Sequence, residues 1–588
     1  MKNSILKITL ILLVGIIFGS CSDFLDREPS DYSSSGFYKS EAAIENGTSG
    51  VYNCIYMNIG YSLPFNVTLD HYTGLAMERA ENTTIGAGGA LNPDNSSVQS
   101  FWSMLYVLVA RSNSVIYGST DYMEGLGDKA YQYVSEVRVL RAFAYYNLIS
   151  TYGDIPFFTS PVTIDEYKDT RTSKVEVLDF ILNELEESTA YLPWTASERG
   201  RVDKSFAYGL KARAALLGGS LDYGGKSAEY FRISADASSK VIGQRQLAKS
   251  FDDLFNITGQ AKSDVRNEML FELMYSNLGS RKTHVVGFGQ VSRNTGQTGR
   301  HPSMLLADMF ECTDGKRIDE SPLYDPHHPQ KNRDPRFHST LWMHGDTVTV
   351  NNGSVVRHVL NAYDMETPFY NFTTEEWEMK NNADINSAAA WASFCNAGSG
   401  YIWAKFSNEI AENISAQTCN IPIMRYAEVL LTYAEAKIEL NELDNSVYEA
   451  INEVRNRVNM PNVSSDRIGN QDKMRQLVRN ERKVELALEG LHQVDVRRWD
   501  IGDLENGQPS YGLPLPEIRY EGLSDNAIPN FTTSERHNLN NIASYDSYKE
   551  KLKVRDRNRF WDKKFNLWPI PQLEIDRNPN LTQNEGYY

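Results

Sequence analysis

Residues 138–158 read RVLRAFAYYNLISTYGDIPFF. With the residues just before them they place Val134, Val137, Leu140, Ala144, Tyr145 and Leu148 at spacings of three and four, the period of one helix face. Gly153 and Pro156 then supply stop signals. The spacing predicts a helix over 130–152. Upstream, Trp102, Leu105, Tyr106, Val109, Asn113 and Ile116 repeat the pattern. Downstream, Ser173 is placed to cap a helix running through Leu192, with Asp179, Glu184, Glu186 and Glu187 on its polar face. Asp203 can cap SFAYGLKARAALLG, whose small residues let helices approach closely, and a further helix covers 228–242. Such a succession of amphipathic helices predicts tetratricopeptide-like pairing, although no 34-residue sequence motif aligns.

Between about 255 and 420 the chain changes character and becomes rich in Gly, Asn, Asp, Thr and aromatics. RKTHVVGFGQ and DTVTVNNGSVVRHVL read as short strands, the second pair joined by a turn at Asn352-Gly353. Long irregular segments in a helical protein are often functional surfaces. Helix is expected again from Pro422 through MRYAEVLLTYAEAKIELNEL, then in SVYEAINEVRNRV and DKMRQLVRNERKVELALEG. Residues 500–560 are polar and irregular, and Pro569, Pro571 and Pro579 keep the end mostly non-helical.

The first residues, MKNSILKITLILLVGIIFGSC, set the compartment. Lys2 and Lys7 precede an apolar run from Ile8 to Phe18, too short to span a bilayer as a helix and suited to a signal-peptide core. Gly19, Ser20 and Cys21 then resemble a bacterial lipobox, with Phe18 where Leu is usual. That resemblance implies cleavage before Cys21 and its acylation, and Ser22 is compatible with sorting to the outer membrane. The expected layout is a signal peptide over 1–20, an anchor and tether over 21–40, and a single domain over 41–588. That domain divides into a helical part to about 254, an irregular part to about 420 and a helical and extended remainder.

Composition is globular across the 588 residues, with 41% hydrophobic and 23% charged residues. A net charge of −17, with no run of Lys and Arg, disfavours nucleic-acid binding. Thirty-three Tyr and nine Trp offer rigid apolar faces with polar tips, suited to ligand surfaces as well as to cores. After Cys21, the cysteines at 54, 312, 395 and 419 are too irregularly spaced for a disulfide framework or a zinc site; at most one bridge is expected, with Cys395–Cys419 favoured.

Seven segments in order resemble the SusD/RagB family of nutrient-binding lipoproteins. They are Cys21-Ser-Asp-Phe-Leu-Asp with Pro29, RVLRAFAYYNLISTYGDIPFF, GRVDKSFAYGLKARAALL (200–217), IPIMRYAEVLLTYAEAKIEL (421–440), INEVRNRVNMP (451–461), VRNERKVELALEGLHQVDVRRWD (478–500) and WPIPQLEIDRNPNLTQNEGY (568–587). The resemblance implies a mainly α fold with four tetratricopeptide-like helix pairs and an irregular, partly β segment carrying the ligand surface. It also implies a SusC-like TonB-dependent transporter as partner, a glycan or peptide ligand, and an exterior-facing outer-membrane location. Motif residues such as Arg425, Glu428, Glu435, Arg479, Glu481, Arg482 and Glu485 read as structural, able to pair along one helix and with neighbouring helices. Asn578 and Asn584 read as ties for an irregular terminus.

No nucleophile elbow, zinc-protease motif or phosphate loop is present. Asp319, Asp325 and Asp334 lack the spacing of a calcium loop, and His327 and His328 read as surface loop residues, so no metal or cofactor is expected. Glycosidase chemistry needs a carboxyl with raised pKa facing a second one, whereas Glu481 and Glu485 share a helix with arginines. A binder of sugars needs aromatic platforms for the C–H faces of the rings and polar groups for the hydroxyl rim. Candidates outside the helical motifs are Asp70, Tyr72, Glu78 and Asn82 in one stretch, and Trp342, Tyr363, Tyr370, Trp377, Trp391 and Trp403 in the irregular middle; Arg293, Asn294 and Arg300 are candidates for the polar rim. Trp102 and Trp568 read as structural. The alternative readings are a tetratricopeptide-type interaction scaffold, peptide capture in place of glycan capture, and, more distantly, a glycoside hydrolase.

Overall fold

The computed structural model describes residues 36–60, 63–78, 85–163, 166–278, 283–284, 286, 299–325, 328–351, 353–361, 366–382, 399–407, 413, 416–512 and 553–588. Its N-terminal half holds α1 (Glu41–Tyr52), α2 (Ser96–Ser119), α3 (Asp128–Tyr152), α4 (Lys174–Ser188), α5 (Lys204–Ser220) and α6 (Ser227–Val241). Consecutive members from α2 to α6 pack side by side, while α1 lies on α2 and α3. After the irregular middle come α7 (Tyr426–Glu439), α8 (Asn445–Asn456), α9 (Gln471–Leu486) and α10 (His492–Arg498). Helix α7 packs on α6 from the first half and on α8 and α9 from its own. The fold is mainly α.

The caps read from the sequence are present. Ser173 accepts from the N–H of Val175, and Asp203 from that of Phe206. Helix α3 ends at Gly153, whose φ is +77°. It is not the one-faced helix its spacing suggests, for residues 139–152 are buried all round. Its charged residues are therefore neutralised in place. Glu136 accepts from Tyr52 and pairs with Arg201, and Arg141 binds Asn113 and pairs with Glu184. Glu184, expected on a solvent face, is thus a core ion. The small residues of α5 act as foreseen: a Cβ on Gly218 would come within 2.4 Å of Leu178 on α4.

Besides several two- to four-residue strands, the longer strands are β1 (Met269–Leu273), a four-stranded antiparallel meander of β2 (Thr347–Asn351), β3 (Val355–Val359), β4 (Glu366–Asn371) and β5 (Glu376–Asn381), and β6 (Ile421–Arg425), which pairs antiparallel with β1. Helix was expected from Pro422, but 421–425 is strand and helix starts at Tyr426. The extended backbone carries Arg425 into a cluster of buried carboxylates, where it meets Glu268 at 2.6 Å, Glu485 at 3.0 Å and Glu489 at 2.7 Å.

That cluster explains the charged motif of α9. Its residues pair across elements, not along their own helix. Glu485 serves Arg336, Arg425 and Arg457; Glu481 serves Arg336 and Arg455; Arg482 binds Asp495. Glu435 of α7 takes Arg498 at 2.6 Å, and Glu428 takes Arg213. After α9 the chain turns through Leu488 and Gly490, both at positive φ, and a Cβ at Gly490 would strike the Asn66 backbone. Beyond the turn, Glu505 accepts from His492 at 2.6 Å and pairs with Lys483. Lys483 and then His492 overcome the burial cost and hold its carboxyl down at about 2. Because the folded pKa is depressed from 4.5, this contribution is present above pH 4.5 and is lost as pH falls toward 2. It amounts to about 3 kcal/mol. Denaturant unfolding of Glu505→Gln beside wild type is expected to show a stability gap at pH 6 that shrinks by more than half by pH 3; a gap independent of pH would contradict it.

The C-terminal segment straps the helices together. Trp568 is fully buried, a short helix spans Gln572–Arg577, and the terminal asparagines tie the chain as foreseen. Asn578 donates to the carbonyls of Tyr167 and Asp169, and Asn584 to those of Tyr152 and Trp568.

Candidate functional site

Two short ladders form the base from which the irregular middle departs. Ala76–Glu78 pairs with Arg300–Pro302, and Leu341–Met343 pairs with Tyr401–Trp403. The Ser399 hydroxyl donates to the carbonyl of Pro302 and links the two. Residues more than two hundred positions apart thereby meet. Arg300 Nε lies 3.6 Å from a Glu78 carboxylate oxygen, both side chains nearly buried. The candidates Asn82, Arg293, Asn294, Tyr363 and Trp391 lie outside the described residues, as do Cys21, Cys395 and His327.

Other candidates turn inward. Asp70 is buried and accepts the backbone N–H groups of Glu489 and His492 at 2.9 and 3.0 Å, so it fixes the turn into α10. Burial raises its pKa to about 6 despite those bonds. Tyr72 is buried with its ring 6.2 Å from that of Trp568, and Trp342 is buried in its ladder. Trp403 is wholly buried edge-to-face on His71, whose burial lowers its pKa far enough to keep it neutral. In these positions the four residues serve the core and not a sugar face. Asp319, Asp325 and Asp334 are not gathered: they pair with Arg317, His328 and Arg336 respectively.

The meander does the opposite. Its chain leaves the base just after Met343 and turns one face inward, where Val348, Val350 and His358 are buried. Strand alternation and register place Arg357, Tyr370 and Trp377 on the other face. Tyr370 and Trp377 are directly paired across strands, ring centroids 5.4 Å apart and planes inclined at 65°. Phe372 packs edge-on to Tyr370 at 5.1 Å. Phe372 and Trp377 are each 47% exposed and Met379 is 58% exposed. The Arg357 guanidinium lies 5.0 Å from the Tyr370 ring centroid and 5.2 Å from that of Phe372, and its Nε donates to Thr349. Tyr370 and Trp377 were legible as candidates. Arg357 and Phe372 were missed, although period-two spacing in VVRHV and FYNF carried the signal.

Elsewhere, an apolar cleft of about 440 Å³ runs between α2 and residues 156–162, with Trp102, Tyr106 and Tyr167 in its walls. Its main polar groups are already engaged: Tyr106 donates to the carbonyl of Pro156, Asn113 to that of Phe158, and Tyr167 to Glu574. The meander face is an exposed surface that joins aromatic faces to a cation.

The sequence profile of the SusD family matches residues 267–587, more than half of the chain. This chain belongs to the SusD family. A second profile, described as "Starch-binding associating with outer membrane", matches residues 23–216. SusD-like protein P2 of Formosa agariphila is 24% identical over 541 residues, 87% of this chain and 96% of that protein. Starch-binding protein SusD of Bacteroides thetaiotaomicron is 22% identical over 493 residues, 79% of this chain and 75% of that one. A solved SusD-like carbohydrate binding protein from Bacteroides fragilis shares the fold, with a TM-score of 0.72 at 24% identity over 93% of this chain and 100% of the other. Among the described residues no helix of this SusD-family chain is long and apolar enough to cross a membrane.

Proposed function

We propose that this SusD-family chain is a surface lipoprotein of the outer membrane, anchored through Cys21, that binds glycan without cleaving it and passes it to a SusC-like TonB-dependent transporter. The observation that carries the binding role is the solvent-facing Tyr370–Trp377 pair with Phe372 and Arg357 beside it. Family relatives named for binding starch and carbohydrate support glycan as the ligand class. A non-catalytic role fits the interior chemistry. Arginine partners hold Glu485 well below the usual carboxylate range, and the two carboxyls raised to about 6, Asp70 and Asp203, are buried and occupied by backbone N–H groups. Neither is poised as a general acid in a cleft.

Isothermal titration of a defined oligosaccharide panel tests this reading. Wild type is expected to bind at least one member, and Trp377→Ala to weaken that binding by about 2 kcal/mol, roughly thirtyfold. Turnover of a bound glycan by pure protein, or binding of peptides but no glycan, would contradict it.

A further inference from the structure

We infer that the glycan taken by this face is anionic, carrying carboxylate or sulfate groups, with Arg357 as the anion contact; this rests on the glycan-binding reading above. Many buried guanidinium groups in this protein are matched to acids, while others such as Arg333 and Arg497 bind backbone carbonyls. Arg141, Arg213, Arg336, Arg425, Arg455 and Arg498 each meet a carboxylate in the interior. Arg357 differs. It stands on an outward face and bonds a hydroxyl, and no carboxylate lies within ion-pair distance among the described residues.

Its surroundings orient it without neutralising it. Nε is occupied by Thr349, and the rings of Tyr370 and Phe372 flank the guanidinium carbon. Among the described residues the two terminal nitrogens have no hydrogen-bond partner, and paired N–H donors of this kind match a carboxylate or sulfate edge. Among the described residues, no acid of the meander pairs with it. Glu378 sits on the opposite face, where it accepts from Asn371 at 2.5 Å and lies 3.6 Å from Lys380. Glu366 shares the face of Arg357 but pairs with Asn381 at the far end of its ladder.

Charge gives the reason to expect an anion in place of a neutral hydroxyl rim. A bond from a guanidinium to an anion is about twice as strong as a neutral one. The chain as a whole carries −17 and repels a polyanion at long range, so retention must come from the contact itself. Trp377, two strands away on β5, would hold the apolar face of the same or the next sugar while Arg357 takes its charged group.

The test is isothermal titration of the full chain with three oligosaccharide sets of matched length: neutral glucans, oligogalacturonates bearing carboxylates, and carrageenan oligosaccharides bearing sulfates. One anionic set is expected to bind at least tenfold more tightly than the neutral set, and which one does so identifies the anion. Arg357→Gln is expected to abolish that preference with an unchanged melting temperature, while Arg357→Lys keeps part of it. Neutral glucans binding as tightly as both anionic sets, or an Arg357→Gln variant that keeps the preference, would overturn the inference and leave glycan capture standing. Failure of folded wild type to bind any of the three sets would overturn the glycan reading and the inference together.

Discussion

Glu485→Ala is expected to destabilise the protein by about 3–5 kcal/mol, a large share of the 5–15 kcal/mol that separates folded from unfolded chains. The Glu485 carboxylate is wholly buried among Arg336, Arg425 and Arg457. Removing it leaves three guanidiniums sharing fewer acids in a dry interior. Arg425 retains Glu268 and Glu489, and Arg336 retains Asp334 and Glu481, so partial compensation sets the lower end of the range. Arg457 would keep only Glu268, at 3.1 Å. Glu485→Gln preserves shape and some hydrogen bonding and is expected to cost less. Equilibrium unfolding in guanidinium chloride measures both. A loss under about 1 kcal/mol for the alanine variant would mean that the cluster is hydrated or differently arranged.

Trp568→Ala is expected to cost a similar 3–5 kcal/mol, through a cavity and not through charge. The indole is fully buried and meets Tyr72, Phe101 and Tyr152 at centroid distances of 6.2, 6.1 and 6.0 Å. Its backbone N–H also donates to the Thr151 carbonyl at the end of α3. The residue therefore joins the C-terminal strap to the first helices, and its loss is expected to loosen the strap ahead of the rest. Limited proteolysis is expected to cut the variant near its C-terminus at protease levels that spare wild type. Unfolding midpoints that coincide would contradict the role.

The helices were legible because their signals are local. Caps at Ser173 and Asp203 and the stop at Gly153 need only a few neighbours to act, and each stands where the sequence placed it. The start of α7 was misplaced because Ile421–Arg425 is extended by a partner strand some 150 residues away, which no local pattern reveals. The same distance problem governed the charged motif. A spacing of three and four along 479–485 suggested pairing along one helix and with neighbouring helices; the cross-element pairing holds, with partners such as Arg455, Arg336 and Arg425 whose identity no local spacing gives. Among the site candidates, residue type alone could not separate Trp403, which is core, from Trp377, which is exposed. Alternation along β3 and β4 held that information, but it became readable only once the register fixed which face turns outward.

The most direct measurement is recovery of the epitope-tagged chain from purified outer membranes with gentle detergent, followed by identification and quantification of any SusC-like barrel that comes with it. The expected result is stoichiometric co-purification of that barrel with wild type, and loss of membrane recovery for Cys21→Ala. A wild-type chain found in the soluble fraction, or recovered from the outer membrane with no such barrel, would contradict the proposed role as the capturing subunit of a transporter.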